Sequence, residues 1–261
     1  MQVTEQFATL LRSPESEVPL DRAALLIAAH AYPGLDLAAE LARLDRLAEG
    51  CAAPTLDALV RHLFVDLGFR GNRSAYYDPR NSYLNDVVHR RCGIPITLSV
   101  LTMVVGRRLG VPLAGVGMPG HFLLRDRVDP EVFVDPFAGG AILDREACER
   151  LFHVVHGEDA PFEDDFLAPV GAFAILARML ANLRVAFAAR GDHDGIAWVL
   201  RLRTCVPGVP VEERAELAAA LAATGDFHGA ARELEALAAQ LGGSLGNGYA
   251  ERAARIRARL N

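Results

Sequence analysis

The chain has 261 residues with 27 Lys or Arg against 33 Asp or Glu, a formal charge of −6. That length suits one large domain or two small ones around a packed core, and the acidic balance argues against a dedicated nucleic-acid binder, which would carry a basic excess. The start, MQVTE, lacks the basic opening of a signal peptide, and the longest apolar run, residues 98–105, is broken by Ser99 and Thr102 and is too short to span a bilayer, so no membrane partner is expected.

In chain order, residues 1–68 read as helical. One helix opens at Asp21, taken as its cap, and stops before Tyr32-Pro33-Gly34. Asp36 can cap the next, whose Leu37, Leu41, Leu44 and Leu47 recur at helical spacing. A third spans residues 55–67 and ends at Gly68. A polar, glycine-bearing loop follows to Pro79, then a short helix over residues 81–91. Pro95, favoured in a first helical turn, opens a longer helix that runs to Leu109 and stops at Gly110.

Residues 113–118 form a candidate strand, and two apolar segments, residues 121–125 and 131–135, read as a hairpin around a five-residue loop holding Asp129-Pro130. If the hairpin is symmetric, Arg125 faces Glu131, Leu123 faces Phe133 and His121 faces Asp135. Directly opposed residues have Cβ atoms about 4.5–5.5 Å apart, which would bring imidazole and carboxylate together as the base and orienter of a nucleophilic triad. The competing explanation is a structural hydrogen-bonded pair in a partly buried sheet. Helices ahead of a small antiparallel sheet make an α+β domain. The acidic stretch 158–165 reads as a solvated loop.

From Gly171 the chain turns Ala/Leu/Arg-rich and repeats itself. Gly191-Asp192 recurs 34 residues later as Gly225-Asp226, and Leu183, Ala186, Gly195, Ala197 and Leu200 match Leu217, Ala220, Gly229, Ala231 and Leu234 at the same offset. A 34-residue period with a Gly-Asp turn between helices resembles tetratricopeptide repeats; an ordinary helical bundle is the alternative.

Several motifs carry no chemistry. GVGMPG at 115–120 spells a dinucleotide fingerprint but precedes a strand and contains Pro119, so the required helix N-terminus is missing. No phosphate loop, zinc-protease or calcium-loop motif is present, and Cys51, Cys92, Cys148 and Cys205 lack paired or zinc-ligand spacing. No metal or cofactor is therefore expected, and the cysteines read as reduced thiols of a cytoplasmic protein.

Four segments, NSYLND (81–86), RCGIPITL (91–98), GMPGHFL (117–123) and VDPFAGG (134–140), resemble the SirB-type regulator family, a branch of the transglutaminase-like superfamily often followed by tetratricopeptide repeats. The resemblance covers essentially the whole chain. It implies a papain-like α+β core with N-terminal helices in residues 1–168 and an all-helical tetratricopeptide-like region in residues 169–261. His121 matches the superfamily histidine and Asp135 its aspartate. The third member is a cysteine opening a helix, where the helix dipole favours thiolate. Counting back from LGVP (109–112), which resembles the end of that helix, puts Pro95 at the nucleophile position. Cys92 lies three residues earlier and would need a different local path to reach His121. Asn81 and Asn85, four apart on the short helix, share a face and either line or brace the site, or merely cap a turn and expose an amide.

Three functions are compatible with this pattern. One is a protein without thiol catalysis that binds a protein or peptide partner. Another is an amide- or peptide-directed acyl transferase or hydrolase that uses His121 and Asp135 with a non-standard nucleophile, Cys92 or activated water. A purely structural role in a complex is a third.

Overall fold

Residues 3–258 are described by a computed structural model, which mixes helix and sheet. Two compact units are present: Ser13–Met179 form one, and α1 (Val3–Leu10) with the helices from Leu180 onward forms the other. Among the described residues, no helix is long and apolar enough to cross a membrane.

The first unit begins with α2 (Leu20–Ala31), α3 (Leu37–Glu49) and α4 (Leu56–Val60). Asp36 caps α3 as expected, accepting from Ala38 and Ala39 N–H at 3.0 Å each. Asp21 does not cap α2. The helix starts one residue earlier, after Pro19, and the buried Asp21 carboxylate instead ties down Arg107 at 3.2 Å and Arg108 at 2.9 Å. A charge with two guanidinium partners in reach is better satisfied there than at an exposed cap. α4 continues as a π-turn over Arg61–Asp66, and Gly68 follows with φ 71°.

The strands β1 (Arg70–Gly71) and β2 (Cys92–Gly93) make a short parallel pair. Between them the expected single helix is two pieces: a 3-10 turn over Pro79–Asn81, started by the Asp78 side chain on Arg80 N–H, and α5 (Leu84–Arg90), reached after Tyr83 adopts an extended conformation. α6 (Pro95–Leu109) begins and ends where the sequence indicates, with Gly110 left-handed at φ 77°.

The main sheet contains β3 (Leu113–Val116), β4 (Leu123–Asp126), β5 (Phe133–Asp135), β6 (Ala141–Leu143) and β7 (Pro169–Val170), in the order β6-β5-β4-β3-β7, all antiparallel. β7, which contains a proline, sits at the edge, where its missing N–H costs no ladder bond. α7 (Arg145–His156) covers one face, packing Cys148 and Phe152 against Val116, Met118, Leu123 and Phe133. α6 packs against β3, β4 and the turn Pro136–Ala138.

The hairpin register differs from the symmetric one. Leu124 faces Val134 and Arg125 faces Phe133, two residues on from expectation. The loop is displaced because its aspartates fold it: Asp126 accepts from Val128 N–H at 2.9 Å, Asp129 from Glu131 N–H at 3.1 Å, and Asp126 N–H donates to Val132 O at 2.9 Å. A shift of two residues keeps every side chain on its face, whereas a shift of one would have inverted them all.

The second unit contains the later part of α8 (Ala172–Ala188), then α9 (His193–Arg203), α10 (Glu213–Ala223), α11 (Phe227–Leu241) and α12 (Gly243–Ala258). Its two Gly-Asp turns are built alike. Gly191 has φ 66° and Gly225 φ 85°. Asp192 N–H donates to Phe187 O at 3.0 Å and Asp226 N–H to Leu221 O at 2.8 Å. Each aspartate then caps the following helix at 2.8 Å, on Gly195 or Gly229 N–H. Ala197, Leu200, Leu217, Ala220, Ala231 and Leu234 share one core.

Candidate functional site

His121 stands just before β4, in the turn closed by its own N–H on Met118 O at 3.1 Å. Asp135 ends β5. In the observed register Asp135 continues opposite Leu123, so His121 is its diagonal neighbour on the same face, still within reach of a long side chain. Nε2 of His121 lies 3.0 Å from Oδ1 of Asp135, and both residues are over nine-tenths buried. The contact is close but the N–H direction misses Oδ1, so Nε2 lacks a well-aligned hydrogen bond. We regard the pair as a close polar contact, of the loose geometry common where a base has no ligand to tighten on.

Asp135 is held independently of the histidine. Its Oδ1 accepts from Phe137 N–H at 2.9 Å and Ala138 N–H at 3.2 Å, capping the 3-10 turn that Pro136 opens. With Nε2 turned to Asp135, Nδ1 is the imidazole nitrogen left for any other group.

Aromatic and cationic side chains rim this pair. The Phe137 ring meets His121 edge-on at 6.1 Å and Tyr76 at 6.0 Å, and Arg73 sits 5.0 Å over it. Gly71 makes room for that ring, since a Cβ there would fall 2.5 Å from it. Arg178, from α8, donates to Met118 O at 3.1 Å and to His121 O at 2.7 Å, with its guanidinium 5.5 Å over Phe122. Burial lowers the Arg178 pKa from its ordinary value, and Tyr76 pulls it back. Burial raises the Tyr76 phenol, opposed by Arg178 and reinforced by Tyr77.

Asn81 braces the loop that carries Tyr76. It is fully buried; its Nδ2 donates to Ala75 O at 2.7 Å and Tyr76 O at 3.1 Å, and its Oδ1 accepts from Asn72 Nδ2 at 3.0 Å and Arg90 Nη1 at 3.3 Å. Thr97 reaches its backbone carbonyl at 2.6 Å. Asn85 is different. It lies on α5 rather than on a helix shared with Asn81, and its buried Oδ1 has no partner. The break at Tyr83 separates the two, so the common face expected of them does not form.

Pro95 is buried at the first position of α6, after Ile94. Ile94 has no side-chain acceptor, and Thr97 Oγ1 reaches back to its N–H at 3.2 Å instead. Cys92 is committed to β2 beside Arg70, and among the described residues it makes no hydrogen bond or ion pair with His121. Cys148 is the thiol whose ionisation Asp135 affects. Burial, then the Asp144 and Asp135 charges, push it up to about 12, far from a reactive thiolate.

Among the described residues no cluster of three or more His, Cys, Asp or Glu could hold a metal. A groove of about 580 Å³ opens elsewhere in this unit, along Met103, Val111, Leu113, Arg127 and Ile175, and no dyad residue lines it. Tyr76, Phe137, Arg73 and Arg178 escaped the sequence reading. A cation in the otherwise apolar stretch 172–181 of α8 was the available signal for Arg178.

The family profile described as "Transglutaminase-like superfamily" matches residues 32–181. The UPF0162 protein of Xylella fastidiosa (strain Temecula1 / ATCC 700964) is 40% identical over 211 residues, covering 75% of this sequence and 75% of its own. That of Vibrio cholerae is 34% identical over 155 residues, 56% of this sequence and 57% of its own. Human F-box only protein 21 is 37% identical over 152 residues, 54% of this sequence but 22% of that protein. No solved structure gives a significant match.

Proposed function

Because the chain belongs to the transglutaminase-like superfamily, we propose that it is a non-catalytic member whose His121–Asp135 site binds a protein or peptide. One observation carries this reading: Pro95, with no nucleophilic or acid–base group, opens the helix that would present the superfamily's cysteine. Asn81 serves by bracing the loop at the rim; Asn85, whose amide oxygen is unpaired, is the group that would bind.

We extend the reading to the finer features that the resemblance implies. Residues 1–168 would be a papain-like core of the SirB-type regulators, and residues 169–261 tetratricopeptide-like repeats presenting a surface to the partner. The equal construction of the turns at Gly191 and Gly225 supports the repeats. Recurrence of the segment as 22% of F-box only protein 21 suits a portable binding module. The protein would act in the cytoplasm, without cofactor.

A second reading, an amide-directed acyl transferase or hydrolase, is favoured by the retained burial and 3.0 Å spacing of the dyad. His121 would be the base, with activated water or Cys92 as nucleophile.

Affinity purification from native lysate with wild type and His121→Gln, beside hydrolysis and transamidation assays on peptide amides, separates the two. The binding reading expects a defined partner retained by wild type and weakened by His121→Gln, with no turnover. Turnover that His121→Gln abolishes would replace it with the enzyme.

A further inference from the structure

Charge around the dyad is unbalanced. Arg178 spends two donors on the backbone carbonyls of Met118 and His121, and its remaining N–H groups, Nε included, meet no protein acceptor among the described residues. Arg73 stands over Phe137, and no carboxylate pairs with either arginine among the described residues. Among the described residues Asp135 forms no ion pair with either arginine; its Oδ1 faces His121 Nε2 and two backbone N–H groups. A half-buried guanidinium without a counter-ion is poorly compensated, and its forked donors match a carboxylate in two-pronged fashion. Phe137, with Arg73 over its ring, meets both Tyr76 and His121 edge-on, so this aromatic rim lies next to the dyad.

We propose that the His121–Asp135 site takes a carboxylate-bearing peptide, with the carboxylate docked on Arg178 and Arg73 and the adjoining amide next to His121. The inference rests on the peptide-binding reading of the site and names its ligand class. Either an acidic side chain or the free C-terminus of the peptide supplies the carboxylate.

The test is a titration of the full-length ¹⁵N-labelled protein with three peptides: acetyl-Ala-Glu-Ala-amide, acetyl-Ala-Ala-Ala with a free C-terminus, and the neutral acetyl-Ala-Gln-Ala-amide. The backbone amides of residues 118–122 and 135–138 report binding. At least one acidic peptide should bind about tenfold more tightly than the neutral one, the size of a charge-assisted hydrogen bond, and the stronger of the two identifies the source. Added salt should shrink the advantage. So should Arg73→Gln, at an exposed position, and Arg178→Lys, which keeps the charge and loses the fork. Equal binding of all three, or a preference undiminished in both variants, overturns the carboxylate assignment and leaves peptide binding standing. Absence of shifts with any of the three overturns the inference too, and the lysate purification then judges the binding reading independently.

Discussion

Asp135 Oδ1 is shared between His121 Nε2, at 3.0 Å, and the N–H groups of Phe137 and Ala138. The carboxylate is thus an orienter for the imidazole and a cap for the turn beneath it. Asp135→Ala removes both: two backbone donors lose their acceptor and the imidazole its close polar neighbour, for a loss of about 2–4 kcal/mol. Asp135→Asn keeps an amide oxygen for the cap and should cost less than about half of that. Urea unfolding of the two variants measures the difference. Equal losses would mean that the cap contributes little.

The two asparagines of the NSYLND segment should respond in opposite ways. Asn81 joins Asn72, Ala75, Tyr76 and Arg90, so Asn81→Ala should destabilise by about 2–4 kcal/mol and loosen the Tyr76 loop, read as faster amide exchange there. Asn85 already has an unpartnered oxygen, so Asn85→Ala should cost less than about 1 kcal/mol. A larger loss at Asn85 than at Asn81 would reverse their roles as brace and binder.

That contrast shows what could be read from the amino-acid sequence alone. Helix ends at Asp36, Pro95 and Gly110 follow from local chemistry, and α3 and α6 appear where local rules put them. The meeting of His121 with Asp135 was legible through parity, although the register was not, because the loop is folded by the side chains of Asp126 and Asp129 rather than by its length. Asp21 had a local use as a cap but a stronger non-local one on Arg107 and Arg108. Arg178 reaches Met118 and His121 from some sixty residues away, a distance over which spacing gives no guidance.

The paired turns of the helical unit make a quantitative test. Gly191→Ala and Gly225→Ala both force a side chain into left-handed backbone, at roughly 1–2 kcal/mol each. Asp192→Ala and Asp226→Ala each remove a helix cap worth about 1 kcal/mol. Because the two turns share their hydrogen bonds at a 34-residue offset, the losses should match pairwise in denaturant unfolding within about 0.5 kcal/mol. A full loss at one turn with none at its counterpart would dissolve the equivalence.

Thiol chemistry offers the sharpest check on the absence of a nucleophile. The Cys148 pKa is raised to about 12 by burial and the Asp144 and Asp135 charges. With the folded value above the unfolded one, its stabilising contribution is complete below about pH 9 and is lost as pH rises toward 12, because the folded state there retains a proton the unfolded state has released. Tyr32, raised to about 12 by burial and by its hydrogen bond to Asp86, acts in the same direction from its ordinary value of 10.0. Stability should therefore fall across this window, and Cys148→Ala should flatten the fall without removing it. At pH 8 Cys148 should resist iodoacetamide in the folded protein, which leaves Cys92 as the thiol nearest in sequence to α6. Its place in β2, with no hydrogen bond or ion pair to His121, gives it neither a base nor a helix N-terminus to stabilise thiolate. Alkylation mapped by mass spectrometry, together with peptide-amide assays of wild type and Cys92→Ala, should find no turnover in either. Turnover in wild type that disappears with Cys92→Ala would overturn the non-catalytic reading and make His121 a general base.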